Sequence, residues 1–446
     1  MVQAFIDTAF TGIPLDQQNR IFAKCAWRLI PLMLVLYFVN YLDRVNVAFA
    51  ALTMNKDLAI SSTVYGIGAG ILFVGYFLFQ IPANLILERI GARRWIFIIL
   101  LTWGALSAAN ALVQGPLSLL VLRFFLGAAE AGLYPGLIFY LTLWFPPAYR
   151  ARVTGNFLIG LPLAFVIGAP LSGFILEMNG LAGVRGWQWL FLLEGLPACV
   201  LAFLVLKMLP DSPQHAAWLS ADEKSVIASS IAASPETKHA QWWQQFGDIL
   251  SDVRVWALGL VYLADQSAAS GSRFFMPQIL QGMGYSNLET TYIVALPFVV
   301  AMPAMFYWGR SSDLRNERVW HVAIPMLLTA ASFLVVTFAN IDLVVVFALC
   351  LSMIWPLMFL GSFWGFNSLV LGGRGAAGSI AWVSALGSLG GLVGPATVGA
   401  LKDATGTYGA GLMAIAAALI LATVTVLSLM RVKVPERPAI PARERG

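Results

Sequence analysis

From about residue 29 to residue 431 the chain alternates long apolar runs with short polar or Gly/Pro-bearing breaks. A helix rises about 1.5 Å per residue, so roughly 20 apolar residues cross a hydrocarbon layer about 30 Å thick. Runs of that length lie near 29–51, 63–87, 95–114, 117–143, 153–176, 188–209, 255–282, 289–309, 320–339, 343–371, 377–401 and 409–431, which predicts twelve membrane-spanning helices. One polar stretch, 210–254, is longer than the others. It carries Asp211-Ser-Pro213, the helix-start pattern Leu219-Ser-Ala-Asp-Glu-Lys224 and the break Ser234-Pro235-Glu236, and reads as a linker with one or two surface helices. The expected plan is an N-terminal segment 1–28, a six-helix bundle 29–209, the linker 210–254, a second six-helix bundle 255–431 and a tail 432–446, all of it α-helical.

Composition agrees and narrows the class. With 59% hydrophobic and 11% charged residues over 446 positions, the chain falls far below the roughly 25% charge of soluble domains. The lysines and arginines are unevenly placed. If both termini face the cytoplasm, the inner segments take most of them, including Arg20, Lys24, Arg28, Arg89, Arg93, Arg94, Arg150, Arg310, Arg315 and Arg318, and the outer loops keep only Lys56, Arg185 and Lys402. That asymmetry sets the expected orientation. The net charge of +5 is therefore topological, and no basic stripe on a soluble domain supports nucleic-acid binding. The first apolar run is too long for a cleavable signal peptide. Cys25, Cys199 and Cys350 show no metal-ligand spacing, and His215, His239 and His321 fall in or beside polar segments. No cofactor or catalytic constellation is expected, and any proton handling inside the membrane falls to carboxylates.

The two bundles repeat one another. Asn84-x-x-x-Glu88-Arg89-x-Gly91-x-Arg93-Arg94-Trp95 follows the second run, and Gly309-x-x-x-Asp313-x-Arg315-x-x-Arg318-x-Trp320 follows the eighth. A single offset carries Glu88 onto Asp313, Arg93 onto Arg318, Trp95 onto Trp320 and Pro170 onto Pro395. Acid–arginine turns at related places suit a latch that holds the inner face closed, so Glu88, Arg89, Arg93, Asp313 and Arg315 are candidate gating residues; as ordinary topology-setting charges they would need no such role. Glycines 155, 160, 168 and 173 in the fifth run and 387, 390, 391, 394 and 399 in the eleventh mark surfaces where helices approach closely.

Seven ionisable residues lie inside the apolar runs: Asp43, Arg44, Arg123, Glu130, Glu194, Asp265 and Arg273. At roughly 2.5–3.5 kcal/mol each on insertion scales, they would cost about 20 kcal/mol unless they pair or meet water. Movement of something charged through the protein is the natural reason for them.

Twelve helices in two halves with an acid–arginine turn after the second and eighth resemble the major facilitator superfamily. Tyr41-x-Asp43-Arg44-x-Asn46, Arg123-x6-Glu130-Ala-Gly132 with Pro135, Trp189-x-Phe191-x-x-Glu194-Gly195-x-Pro197 and Leu209-Pro-Asp211-Ser-Pro213 are similar to its anion:cation symporter family. The resemblance implies proton-coupled movement of organic anions, as in bacterial sugar-acid, tartrate, phthalate and hydroxyphenylacetate permeases. It further implies that Arg44 holds the substrate carboxylate while Asp43 and Glu130 titrate, with Arg123 as their partner. The eleventh run departs from the pattern: Ser384-Ala385 stands where relatives commonly show Asn-Ser, with Trp382 nearby. Asp265 is not part of the family pattern either.

The charges themselves permit a coupling mechanism. Arg44 in a rising helix and Arg123 in a descending one reach similar depths, and Arg123 and Glu130, seven apart, share one helical face. Protonating an acid frees a guanidinium whose planar fork suits a carboxylate, so proton and anion binding help each other. Arg123 is a candidate substrate contact beside Arg44, and Tyr41 and, in the tenth run, Trp364 and Asn367 are candidates to line the cavity and bind substrate, although packing explains these three as well. Glu194, before Gly195 and Pro197, suits a structural cap or an interhelical pair; Asp265 or Arg273 could reach the ligand from the second half. The expected protein is a bacterial cytoplasmic-membrane symporter for a small organic carboxylate, monomeric, with protons and lipid as its other partners. An exchanger or exporter of the same fold, or a non-transporting anion receptor, remains an alternative on this reading.

Overall fold

The computed structural model describes residues 15–232, 250–371 and 376–429. Within them lie α1 (Leu15–Asp57), α2 (Ser62–Ile90), α3 (Ala92–Ala109), α4 (Pro116–Glu130), α5 (Leu133–Thr142), α6 (Pro147–Leu158), α7 (Gly160–Val166), α8 (Gly168–Leu176), α9 (Gly186–Met208), α10 (Ala221–Ala232), α11 (Val253–Gly282), α12 (Asn287–Arg315), α13 (Val319–Phe338), α14 (Asp342–Val370), α15 (Ala376–Ser388), α16 (Gly390–Thr405) and α17 (Gly409–Leu429). Joined across short breaks, these elements include 11 spans long and apolar enough to cross a membrane among the described residues. The seventh expected span, α11, has 30 residues, but Asp265, Gln266, Arg273, Gln278 and a row of serines make it far more polar than the rest. Its length suits a crossing, and its polar residues suit a helix that faces protein rather than lipid.

Several expected helices are broken, for chemical reasons visible in the sequence. The fourth run divides into α4 and α5 directly after Glu130. Pro135 has no N–H to offer the carbonyl one turn back, and Gly132 lies so close to α2 and α3 that a Cβ there would come within 2.6 Å of the Trp95 indole nitrogen and 3.1 Å of Ala83. The fifth run breaks into α6, α7 and α8, with Pro162 and Pro170 near the breaks. At its N-terminal end α1 runs well beyond the expected start, and Lys24 there binds both Glu223 oxygens at 2.9 Å. That hydrogen bond, reinforced by the backbone amide of Ser220, holds the Glu223 carboxyl below its ordinary value. Trp218 stacks on Trp144 with ring centroids 5.6 Å apart; together these contacts seat the start of the linker on the first six helices.

Contact between the helices before and after the linker is closest where α2 crosses α16. Residues four apart share a helical face, and α16 uses two such faces. Gly391, Pro395 and Gly399 meet α2, while Gly390 and Gly394 meet α11. A Cβ on Gly399 would sit 2.1 Å from the Ser62 carbonyl oxygen, and one on Gly66 would sit 2.2 Å from that of Pro395. Asp403 reinforces this end by accepting hydrogen bonds from the first backbone amides of α2, Ser62 at 3.1 Å and Thr63 at 2.7 Å, and from the Thr63 hydroxyl at 2.6 Å. A carboxylate at a helix N-terminus is favourable, here supplied by the opposite bundle. Nearby, the Tyr65 hydroxyl donates to the Phe274 carbonyl at 2.8 Å, and Phe165 stacks on Phe298 at 3.7 Å. Further along α2, toward the arginine-rich turn, Leu78, Phe79, Ile81 and Leu85 are exposed.

Asp403→Ala should loosen the end it joins. In a chain whose three native cysteines are replaced, a cysteine at buried Thr291, which faces Gly173, should react several-fold faster with a hydrophilic maleimide when Asp403 is absent. Equal rates would show that glycine packing alone holds this end shut.

Candidate functional site

The charged residues of the first bundle form one buried cluster, but their pairing differs from the simplest expectation. Asp43 and Arg44, adjacent in α1, point to different neighbours. Asp43 is fully buried and faces α3: it accepts from Trp103 Nε1 at 2.6 Å and from the Ser107 hydroxyl, while Asn46 Nδ2 on its own helix donates at 2.8 Å. Three donors leave the carboxylate well satisfied without a directly bonded cation. Trp103 and Ser107 were missing from the sequence reading, because neither belongs to a charged motif.

Arg44 faces α4. Its Nε donates to Glu130 Oε2 at 2.7 Å, with 17% of the Arg44 side chain and none of that of Glu130 exposed. The guanidinium also lies over the rings of Tyr41 at 5.5 Å and Tyr76 at 4.9 Å. Placing Glu130 on the last residue of α4, at the break imposed by the Gly132–Pro135 segment, gives this acid a locally irregular backbone beside it. Arg123 is fully buried, and none of its three guanidinium nitrogens has a hydrogen-bond partner among the described residues. It lies within electrostatic reach of Asp43, Glu130 and Tyr65. The expectation that each arginine would have its own bonded acid therefore holds for Arg44 alone: Asp43 is turned toward α3, which leaves Arg123 as a buried cation held by the field of the cluster.

Aromatic groups continue the site toward the second bundle. Tyr37 packs against Tyr41 at 4.9 Å and Tyr134 at 6.0 Å. From α11, Tyr262 is within electrostatic reach of Tyr41 and Tyr134; it stacks on Phe363 at 5.1 Å and meets the Trp364 edge at 5.2 Å. Trp364 is thus half-buried in the same aromatic wall, whereas Asn367 is fully buried, with neither amide atom bonded among the described residues. None of Tyr134, Tyr76 and Tyr262 was expected as a site residue: Tyr134, one turn after Glu130, carries a local signal in that spacing, and Tyr76 and Tyr262 carry none. Glu194 accepts from Ser172 at 2.7 Å, an interhelical pair between α9 and α8. Asp265 is buried, and among the described residues only Gln266 donates to it, at 3.4 Å.

The candidate latch residues are not joined between the bundles in this structure. Arg93 binds Asp211, just past the end of α9, at 3.2 Å and also the Leu206 carbonyl, so neither contact reaches the second bundle. Asp313 accepts from Arg318 of its own turn, and Arg89 and Arg315 are exposed. The side chain of Glu88 lies outside the described residues. With the bundles in contact at the Asp403 end, these turns stand at the opposite end of α2 and α12.

Comparison with known proteins accords with the architecture. The Major Facilitator Superfamily profile matches residues 33–379. A protein described as a putative tartrate transporter from Agrobacterium vitis is 44% identical over 416 residues, covering 93% of this chain and 96% of that one. A putative metabolite transport protein, NicT, from Pseudomonas putida is 39% identical, covering 92% and 94%. Among solved structures, a bacterial homologue of the human lysosomal transporter Spinster, in an inward-facing, unoccupied conformation, superposes with a TM-score of 0.77 at 16% identity over 91% of this chain and 97% of that one.

Ser107→Ala and Trp103→Phe each remove one donor from Asp43 and should destabilise the protein by about 1–3 kcal/mol. The check is a lowered Tm of the purified protein. Unchanged Tm in both variants would show that Asp43 does not depend on α3.

Proposed function

The chain belongs to the Major Facilitator Superfamily and is a multi-pass membrane transporter rather than an enzyme, and on that premise we propose that it takes up a small organic carboxylate together with protons. The observation that carries this reading is the Arg44–Glu130 ion pair at 2.7 Å, buried on its acid side and slightly open on its basic side. A guanidinium that is reachable yet already occupied by a carboxylate is a competition site. Protonation of Glu130 removes the internal competitor, and the planar fork of Arg44 then accepts the carboxylate of a substrate. By linkage, bound substrate raises the proton affinity of Glu130 by the same factor. Asp43 is the second proton-coupling candidate. It is held by its three donors, and its part is to lie near buried Arg123 as a countercharge until the cluster rearranges. Tyr41, Trp364 and Asn367 supply neutral contacts around the substrate.

Alternating access follows from the same charges. The arginine-rich turns favour the cytoplasmic side, so the Asp403 end, where the bundles meet, is the outer gate. In the opposite state the turns holding Glu88, Arg89, Arg93, Asp313 and Arg315 close the inner face. A charge-balanced, loaded site is cheaper to seal in a low dielectric than a half-loaded one, which links transport to occupancy. The relatives' descriptions as transporters of tartrate and of a metabolite favour an organic acid as cargo. Inward movement of a monoanion against about 100 mV, negative inside, costs roughly 2.3 kcal/mol, which one accompanying proton cancels. A bacterial cytoplasmic membrane with an inward proton gradient is the setting that fits.

In proteoliposomes, a pH gradient acid outside should drive accumulation, and a protonophore should abolish it. Glu130→Gln should still exchange substrate across the membrane but lose gradient-driven accumulation, and Arg44→Ala should lose binding. Accumulation indifferent to the gradient, or normal accumulation by Glu130→Gln, would reject proton coupling through this pair.

A further inference from the structure

A second guanidinium faces the same site from the opposite bundle. Arg273 of α11 lies over the Phe165 ring at 5.4 Å, next to the Phe165–Phe298 stack that joins α7 to α12. It is within electrostatic reach of the Tyr41 phenol and of Arg44 itself. Among the described residues it has no carboxylate partner, and its Nε is buried without a hydrogen bond. Two arginines brought together inside a membrane protein repel each other, and each is costly there. Arg44 is neutralised by Glu130; Arg273 has no such neighbour. An anion placed between the two bundles resolves that imbalance.

We propose that Arg44 and Arg273 together select an acid with two carboxylates, one held by each bundle. The proposal deepens the proposed function and rests on it, since it takes Arg44 as a substrate contact. Its chemistry explains why Glu130 matters. A monocarboxylate satisfies Arg273 and leaves the Arg44–Glu130 pair intact, so it binds without needing a proton. A dicarboxylate brings a second anionic group to Arg44 and must displace Glu130, which occurs readily only when Glu130 is protonated. The second carboxylate is therefore the group that connects substrate to proton, and because the two ends are held by opposite bundles, binding also draws those bundles together over the cargo. Guanidinium forks suit both ends, whereas an ammonium is a point charge, so lysine is a partial substitute.

The test uses a matched pair of four-carbon acids, tartrate and threonate, which differ in that one carboxylate of tartrate is a hydroxymethyl group in threonate. Binding to the full-length purified protein is followed by ligand-induced thermal shift and by counterflow in proteoliposomes, from about pH 6 to about pH 8, where carboxylic acids of ordinary pKa stay ionised. The wild type should favour tartrate at least tenfold at the acidic end and lose much of that preference at the alkaline end, with threonate affinity nearly flat. Arg273→Gln should bring tartrate down to the threonate level, and Arg273→Lys should recover part of the difference, a rescue that a merely structural role would not give. Equal binding of the two acids by the wild type, or full discrimination in Arg273→Gln, overturns the two-carboxylate assignment while leaving organic-anion transport standing. Absence of binding and counterflow with both acids in the wild type overturns the assignment too; a further screen with monocarboxylic aromatic and sugar acids then decides separately whether the wider transport reading also falls.

Discussion

The interior of the first bundle is organised by the cost of charge in a low-dielectric medium. The ion pair between Arg44 and Glu130 is the point on which the rest depends. Taking one partner from a buried pair commonly costs about 3–5 kcal/mol, because the remaining charge is left without compensation. Under the proposed function that penalty is the coupling device: a proton removes the partner, and the uncompensated guanidinium takes a replacement anion. Neighbouring Asp43 cannot step in, because Trp103, Ser107 and Asn46 already hold it against α3. Two acids, one adjacent to Arg44 in sequence and one two turns from Arg123, thus come to have different partners through the direction each side chain takes from its helix.

The same economy shapes the backbone. Glu130 ends α4, and the break beyond it follows from a glycine that fits where no Cβ would and a proline that cannot donate. Across the bundles, glycines on α2 and α16 let carbonyls and α-carbons touch, while Asp403 satisfies amides that a helix start leaves bare. The contact combines close backbone packing and buried apolar side chains, among them the Phe165–Phe298 stack, with a polar clasp at Asp403.

Much of this was legible in the chain. Runs of about 20 apolar residues need no tertiary information to be recognised as spans, because the lipid imposes their length and internal hydrogen bonding. The repeat of the acid–arginine turns and the cluster of charges in the first and fourth runs were visible in the same way. Helix α11 shows the boundary of that logic: it was expected by position, yet its polar face makes sense only once it is seen against the opposite bundle, near Tyr41 and Arg44.

What the sequence alone determined was which residues cannot face lipid and at what depth they lie, since periodicity and the price of a charge depend only on local chemistry. Tertiary structure decided the partners. Whether Arg44 meets Asp43 or Glu130, whether Arg123 finds a bonded acid, and whether Arg93 reaches across the bundles or to Asp211 depends on the rotation and crossing of helices far apart in the chain. Those are set by close packing at glycines 66, 391 and 399 and by side chains such as Trp103 and Ser107, whose roles exist only once separate helices have met.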